Sequence, residues 1–331
     1  MFTWPENPQP YVPHALHGAG VAWPETNCYV DLWIEVLSAL RLNPVAALGF
    51  TVALDWEGDQ FSFFKMPSGD LDALYGIMIG ELNVWWSLEE QVAVQVARGQ
   101  LPIVDADAFF LPDTRGTSYR AQHTKTSVGV RVMDRPNKRI EYFHNAGYFL
   151  LEGEDYDGIF SKAAGSMGLA PYVELAKLDG LVRRDEATLG AIALKLLTHH
   201  NGRRRACDEK VGPAMARFTK ALPEHVAWMR RQGGESFHAY AFAAIRQLGA
   251  ASELLSTHLR WLEETTRISF VTSYESFSAV ANLSKTLQFK LARAAASTKA
   301  FDAEAATADI TTQLIGGFSA LDLALAAGAA R

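Results

Sequence analysis

The pattern of apolar residues changes near residue 155, and this change constrains the fold more than any other feature of the sequence. Before it, short apolar runs such as 125–133 and 139–143 flank turn residues such as those at 134–137. After it, long Ala- and Leu-rich stretches have helical spacing. Mixed short elements followed by helices alone are typical of α+β architecture joined to a helical bundle. We therefore predict two domains, an α+β domain over residues 1–154 and an all-helical domain over residues 155–331.

The first predicted element is an amphipathic helix over residues 27–40, which places Cys28 in its first turn. Tyr29, Trp33 and other apolar residues recur at helical spacing, and either Thr26 or Asn27 can cap the helix. Further strands are predicted at 47–54, 60–65, 101–105, 125–133, 139–143 and 147–151, and further helices at 68–79, 87–98, 185–199, 211–231, 237–265, 270–300 and 303–326.

Composition excludes several classes of protein. The 331 residues carry a net charge of −6, which argues against general nucleic-acid binding. No apolar run in the sequence approaches the roughly 20 residues of a membrane span, and no secretory signal is visible. Two cysteines do not make a disulfide framework. We therefore expect a cytoplasmic protein with free thiols and no membrane partner.

Three side chains follow one another in an order that suits nucleophilic catalysis: Cys28 at a helix start, His123 before a strand, and Asn145 after the next strand. At a helix N-terminus, the unsatisfied amides and the helix dipole favour an anionic sulfur and can stabilise an oxyanion. We predict that Cys28 is the nucleophile, His123 the base and Asn145 the residue that orients the histidine.

Other assignments remain open at this point. His144 and Asp134 compete with Asn145 for the orienting role, and His144 and Asn27 are candidates for oxyanion or supporting contacts. A cysteine near a helix start is more often a small buried apolar residue than a nucleophile. The acidic residues Asp105 and Asp107 end a predicted strand. Either could bind the ammonium group of an amino-acid substrate, although solvated turns are the commoner reason for such residues. We predict no metal site.

Three segments resemble a bacterial protein family of unknown function, whose members are similar over nearly the whole chain. They are residues 25–33 (ETNCYVDLW), 58–65 (GDQFSFFK) and 142–148 (YFHNAGY). That family more distantly resembles the butirosin-pathway acyltransferases and the double-glycine leader peptidases, and its genes often lie near amino acid:carrier-protein ligases.

The resemblance implies a papain-like cysteine-peptidase-type N-terminal domain. It implies an acyl or aminoacyl transferase that takes its acyl group from the phosphopantetheine thioester of a carrier protein and passes it, through a Cys28 thioester, to an amine acceptor. No tightly bound cofactor is expected. In this resemblance Cys28, His123 and Asn145 match the triad. Two departures stand out, because Ala22 and Trp23 lie where the leader peptidases have a glutamine, and Asn145 replaces the usual aspartate.

Two alternative functions remain. Water could take the acyl group, which would make the protein a cysteine peptidase or amidase, or the protein could bind a carrier protein without catalysis. The acceptor is expected to be a small-molecule or peptide amine, and the Ala-rich terminal helices could support a homodimer. The basic clusters at 183–184, 203–205 and 230–231 are candidate docking sites for an acidic carrier protein.

Overall fold

The computed structural model describes residues 2–5, 10–160 and 171–329, and the chain divides into two compact units. The sheet unit comprises Met1–Gly18, Asn27–Pro44 and Met66–Arg184, and the helical unit comprises Ala19–Thr26, Val45–Lys65 and Asp185–Arg331. The boundary after Arg184 lies thirty residues later than the predicted division after residue 154 (184 − 154). The reason is the strand Val173–Lys177, a run of only five residues that is too short to show a clear period and is fixed by pairing with segments distant in the sequence.

The sheet unit consists of one antiparallel sheet with helices on both faces. Its strands follow the spatial order β1-β6-β2-β3-β4-β5. The strands are β1 (Met78–Glu81), β2 (Leu101–Asp107), β3 (Lys125–Asp134), β4 (Arg139–His144), β5 (Gly147–Glu152) and β6 (Val173–Lys177). The helices are α1 (Cys28–Ala39), α2 (Ser68–Tyr75), α3 (Leu88–Ala97) and α4 (Glu154–Phe160). A mixed α/β unit with a helical C-terminal region agrees with the predicted α+β pattern.

The two faces of the sheet have separate cores. Val92 of α3 and Tyr156 of α4 pack with Val104, Val130 and Tyr142 on one face. Because side chains alternate along a strand, Gly129 of β3 belongs to the opposite face, where α1 crosses. A Cβ atom at Gly129 would lie 3.6 Å from Leu32 of α1, so a glycine here leaves room for the helix.

Helix α1 is buried on all sides, whereas the sequence predicted an amphipathic helix. Every residue from Tyr29 to Leu37 is buried, and this run includes the carboxylates of Asp31 and Glu35. Charged residues at helical spacing normally indicate a solvent-facing side. Here they lie in the interior, where they are bound by residues that precede the helix.

The helical unit contains α5 (Glu186–Val211), α6 (Ala214–Gln232), α7 (Gly234–Tyr240), α8 (Gln247–Thr266), α9 (Val271–Ala295) and α10 (Ala303–Ala329). The prediction that this helix ends at residue 199 was wrong. Helix α5 continues to Val211 and includes the basic cluster at 203–205. Arg204 donates to Asp208 at 2.7 Å, a spacing of four residues that stabilises a continuous helix.

The segment 45–65 also differs from its prediction. Its apolar first half forms the 3₁₀ helix Pro44–Ala53 instead of a strand, and residues 60–65 contribute only the isolated bridge of Phe61 with Trp56. A fully buried apolar run has no periodicity that distinguishes a strand from a helix.

One helix in the described part of the chain, Ala303–Gly328 within α10, is long and apolar enough to cross a membrane by length and composition. Only 17% of its most apolar window is buried. A single helix of this kind gives weak support for a membrane location, because helices of soluble proteins pass the same test.

Candidate functional site

Cys28 is the first residue of α1, as predicted, and its side chain is partly exposed. The side-chain oxygen of Asn27 caps the helix by accepting from the backbone amides of Tyr29 at 3.2 Å and Val30 at 3.0 Å. Asn27 is therefore a helix cap. Because the cap occupies these two amides, an oxyanion at Cys28 would need other donors than those the sequence suggested.

His123 is held by a carboxylate, and that carboxylate is Asp107. Its Nδ1 donates to Oδ2 of Asp107 at 2.6 Å, and its ring stacks on Phe109 with centroids 4.4 Å apart. The side chain of His123 is 61% exposed, and its Nε2 has no hydrogen-bond partner within residues 2–5, 10–160 and 171–329. The geometry fixes one ring nitrogen and leaves the other available, which is what a general base requires.

Asp107 is placed by the register of two strands. It ends β2 opposite Lys125, the first residue of β3, and His123 lies two residues before Lys125. The other carboxylate oxygen of Asp107 accepts from the amide of Phe109 at 3.0 Å, which fixes the side chain. Asp107 was predicted to bind substrate, so its role in orienting the histidine was missed. An acidic residue ending one strand and a histidine preceding the next are the signals that could have revealed it.

Asn145 occupies the tight turn between β4 and β5. His144 pairs with Gly147 across this two-residue turn, and Asn145 has a φ of +46°, a conformation that asparagine tolerates better than most residues. Its side chain makes no hydrogen bond to His123 or to any other residue in the part of the chain described. The structure therefore brings His123 to Asp107 and gives Asn145 the role of a turn residue.

Cys28 and His123 are not joined by a hydrogen bond in the described residues. In many enzymes the hydrogen bond between nucleophile and base tightens only in the complex with substrate. The two residues approach the sheet from different elements, Cys28 from α1 and His123 from the segment before β3.

His144 forms a second histidine–aspartate pair in the buried interior. Its Nδ1 donates to Asp113 at 2.5 Å, and the hydroxyl of Thr126 lies 2.8 Å from its Nε2. The hydroxyl of Tyr142 donates to the other oxygen of Asp113. Burial and the charge of Asp113 raise the pKa of Tyr142. With both ring nitrogens bound and almost no exposed surface, His144 ties the segment before β3 to the sheet.

Asp105 is already engaged by neighbouring side chains. One of its oxygens accepts from Ser127 and lies 3.1 Å from Nζ of Lys125, and both contacts bridge the paired strands β2 and β3. An ammonium substrate would compete with Lys125 for the charge of this carboxylate.

Glu174 of β6, which the sequence did not single out, lies beside the first turn of α1. Tyr29, the residue after Cys28, donates to it at 2.7 Å, and Tyr172 donates to its other oxygen at 3.0 Å. Burial and Glu174 raise the pKa of Tyr29, and the same two causes raise the pKa of Tyr172 to about 12. Both phenols therefore stay protonated near neutral pH and anchor the helix start to the sheet.

The carboxylates inside α1 belong to a buried network that was also missed. His17 binds Glu35 through Nδ1, and its Nε2 lies 3.3 Å from Asp31. The hydroxyl of Tyr11 and the backbone amide of His14 also donate to Glu35. Asp31 and Glu35 are three and seven residues after Cys28, on the same face of the helix. This network holds the helix that carries the thiol.

The second cysteine, Cys207, lies in the helical unit and provides an internal control. Its sulfur donates to Asp55 at 3.2 Å. This hydrogen bond, together with burial and the charge of Asp55, raises the pKa of the Cys207 thiol.

Within the described residues, no three His, Cys, Asp or Glu side chains are arranged to hold a metal ion.

We expect iodoacetamide to alkylate Cys28 at least about tenfold faster than Cys207 at pH 7.5, because the thiolate is the reacting form and the carboxylate of Asp55 disfavours it at Cys207. Peptide mass spectrometry over a time course measures both rates in one sample. The Cys207→Ser variant should retain the fast phase and Cys28→Ser should lose it. Equal slow rates at the two cysteines would contradict an activated Cys28.

Two protein-family models match the chain in succession. The DUF1839 N-terminal domain matches residues 12–178, and the DUF1839 C-terminal domain matches residues 186–322. The gap between the two matches contains the boundary after Arg184 that separates the sheet unit from the helical unit. No curated protein matches the chain.

Proposed function

Since the chain belongs to DUF1839, a family of unknown function, we propose its activity from the candidate site: transfer of an acyl or aminoacyl group from a carrier-protein thioester, through Cys28, to an amine. The observation that carries the proposal is the His123–Asp107 pair, in which a carboxylate fixes one ring nitrogen and leaves the other open. Cys28 is the proposed nucleophile, His123 the base and Asp107 the orienting residue.

The proposed reaction has two steps. In the first, His123 accepts the thiol proton, the sulfur of Cys28 attacks the thioester carbonyl, and the bond to the pantetheine sulfur breaks. The leaving thiolate then takes the proton from His123. In the second, an amine attacks the Cys28 thioester, His123 accepts the amine proton, and the sulfur of Cys28 leaves and is protonated. Exchange between two thioesters needs little acid assistance, because one sulfur leaving group replaces another.

We also infer a papain-like relationship for the sheet unit. It is supported by a cysteine that begins a helix packed on an antiparallel sheet, and by a histidine just before one of the strands of that sheet. The orienting residue departs from that pattern. Asp107 lies on the strand before the histidine, whereas the resemblance pointed to Asn145 on the strand pair after it.

The partner in this proposal is an acidic acyl or aminoacyl carrier protein. Of the predicted docking residues, Arg204 is already bound to Asp208 and stacks on Phe318 at 4.1 Å, whereas Arg203 and Arg205 are exposed. The exposed pair is the better candidate for charge complementarity. Two free thiols suit the reducing cytoplasm, where we place the reaction.

Hydrolysis is the second candidate function. It is favoured by the 61% exposure of His123, which leaves the proposed base open to water in the structure described. Transfer to an amine requires that water be kept from the acyl-enzyme, and an acceptor that covers His123 would do so.

Intact-protein mass spectrometry with an aminoacyl-pantetheine thioester tests the proposal. We expect a mass gain of one aminoacyl group on the wild-type protein and on Cys207→Ser, and none on Cys28→Ala. Addition of an amine should discharge the adduct to an amide, whereas release of the free acid alone would identify a hydrolase. A wild-type protein that forms no adduct and leaves the thioester unconsumed would refute both activities for this donor.

A further inference from the structure

The segment between β1 and α3 forms a pocket of about 470 Å³ that no part of the proposed reaction uses. It is lined by two adjacent tryptophans, by three amide side chains and by one carboxylate: Trp85, Trp86, Asn83, Gln91, Gln95 and Glu81. All of these residues lie in the sheet unit. Tryptophan side chains are commonly buried in a core or an interface.

The two tryptophans instead face the solvent. Trp85 is 80% exposed and Trp86 is 49% exposed, and their rings stack with centroids 5.5 Å apart and planes inclined by 26°. Indole rings are large apolar surfaces that proteins normally bury. A stacked pair of exposed indoles offers a flat apolar platform at the pocket.

The side-chain oxygen of Gln91 is a polar atom of the same pocket that lacks a hydrogen bond among the described residues. The residue is only 8% exposed, and its Nε2 donates to the backbone carbonyl of Asn83 at 3.0 Å. Its Oε1 has no hydrogen-bond partner among the described residues. A buried acceptor without a hydrogen bond destabilises the fold, so a donor supplied by a ligand would be stabilising.

The charges at the pocket narrow the ligand class. Glu81 is the single charged side chain in the lining, and no lysine or arginine contributes to it within the described part of the chain. A phosphate or carboxylate group would find no cation here. The carboxylate of Glu81 and the free oxygen of Gln91 both require hydrogen-bond donors. The ligand should therefore carry no negative charge, have several hydrogen-bond donors and present one flat apolar face.

We propose that this pocket binds a neutral saccharide, with a sugar ring stacked on Trp85 and Trp86 and a hydroxyl group donating to Gln91. Pyranose rings combine an apolar face of C–H groups with a rim of hydroxyl donors, which matches an indole platform beside unpaired acceptors. The inference is independent of the chemistry proposed at Cys28, because it uses no residue of that site.

Isothermal titration calorimetry of the full-length protein with maltose, cellobiose and chitobiose tests the proposal, with adenosine and choline as comparators. We expect saturable binding of at least one disaccharide. Trp85→Ala should weaken that binding at least about tenfold, because it removes one of the two indole rings on which the sugar would lie. Trp85 is largely exposed, so this variant should keep the wild-type melting temperature. Gln91→Met, which removes the unpaired acceptor, should also weaken binding.

Trp228→Ala is the matched control, since Trp228 is 40% exposed and lies on α6 in the helical unit. It should bind the disaccharide as the wild type does. Binding of adenosine or choline without any disaccharide would overturn the saccharide assignment in favour of a nucleobase or a cation. Absence of saturable binding to all three disaccharides, or binding that Trp85→Ala leaves unchanged, would also overturn it.

Discussion

Replacing His17 with glutamine is expected to lower the free energy of unfolding by about 3–5 kcal/mol, because it leaves two buried carboxylates without their cation. Asp31 and Glu35 are 1% and 0% exposed, and His17 contacts both. Glutamine preserves hydrogen bonding to one carboxylate but cannot carry charge. Since the network lies along α1, the loss should appear as unfolding of the sheet unit.

Guanidinium unfolding at pH 7, followed by circular dichroism and by hydrogen exchange of α1, measures this effect. His199→Gln is the control, because His199 is an exposed histidine of α5, and it should change stability by no more than about 0.5 kcal/mol. A loss below about 1 kcal/mol in His17→Gln would show that the buried carboxylates are compensated in another way.

The same network predicts that the free energy of unfolding depends on pH. Burial lowers the pKa of His17, but hydrogen bonds to Asp31 and Glu35 and the charges of these carboxylates outweigh it and raise the pKa to about 9 from an ordinary value of 6.5. A raised pKa stabilises the folded state fully below about pH 6.5, and this stabilisation is lost as pH rises through about 9. The wild type should lose on the order of 3 kcal/mol over this range. His17→Gln should lack that slope.

The contribution of His14, next to this network, to the free energy of unfolding has the opposite dependence on pH. Burial lowers its pKa, although Glu35 partly opposes this, so its contribution is present above its unfolded pKa and lost as pH falls. Because this contribution is complete above about pH 6.5, it does not alter the change expected between pH 6.5 and 9. A wild-type curve that is flat between pH 6.5 and 9 would contradict the raised pKa of His17.

Replacing Asp107 with asparagine is expected to slow acylation of Cys28 by about 10²–10⁴-fold, because the histidine loses the carboxylate that fixes its tautomer and stabilises its protonated form. Asparagine has the same shape, so the amide of Phe109 keeps its acceptor. Rapid-quench mass spectrometry of the acyl adduct measures the rate.

Asn145→Gly separates the two candidate orienting residues. Glycine adopts the positive φ of Asn145 without strain, so the turn between β4 and β5 should survive and the rate should stay close to that of the wild type. A large loss in Asn145→Gly with little loss in Asp107→Asn would restore Asn145 to the orienting role and refute the assignment of Asp107.

Local signals in the sequence predicted local structure well. The helix predicted at 87–98 forms as α3, and it is capped by the hydroxyl of Ser87, which accepts from the amide of Glu90. The strands β3, β4 and β5 lie where alternation and turn residues placed them, and α1 begins at Cys28. In each case, residues within a few positions of one another determine the outcome.

The failures involve residues that meet only through long-range packing. The pairing of Asp107 with His123 depends on the register between β2 and β3, which a pattern along one strand cannot specify. Asp31 and Glu35 resemble a solvent-facing stripe until His17 and Tyr11 are brought to them by the fold. The strand β6 was missed because it has only five residues and is fixed by pairing with β1 and β2, which lie far away in the sequence.

The order of strands has a consequence for association between copies of the protein. Among the described strands, β1 and β5 form the two edges of the sheet, and each has a row of backbone groups facing away from its neighbour. Such edges invite further strands to add and can lead to aggregation. Here β1 has only four residues, and both edge strands end in an exposed glutamate, Glu81 and Glu152. Short length and terminal negative charge disfavour growth of the sheet from one molecule to the next.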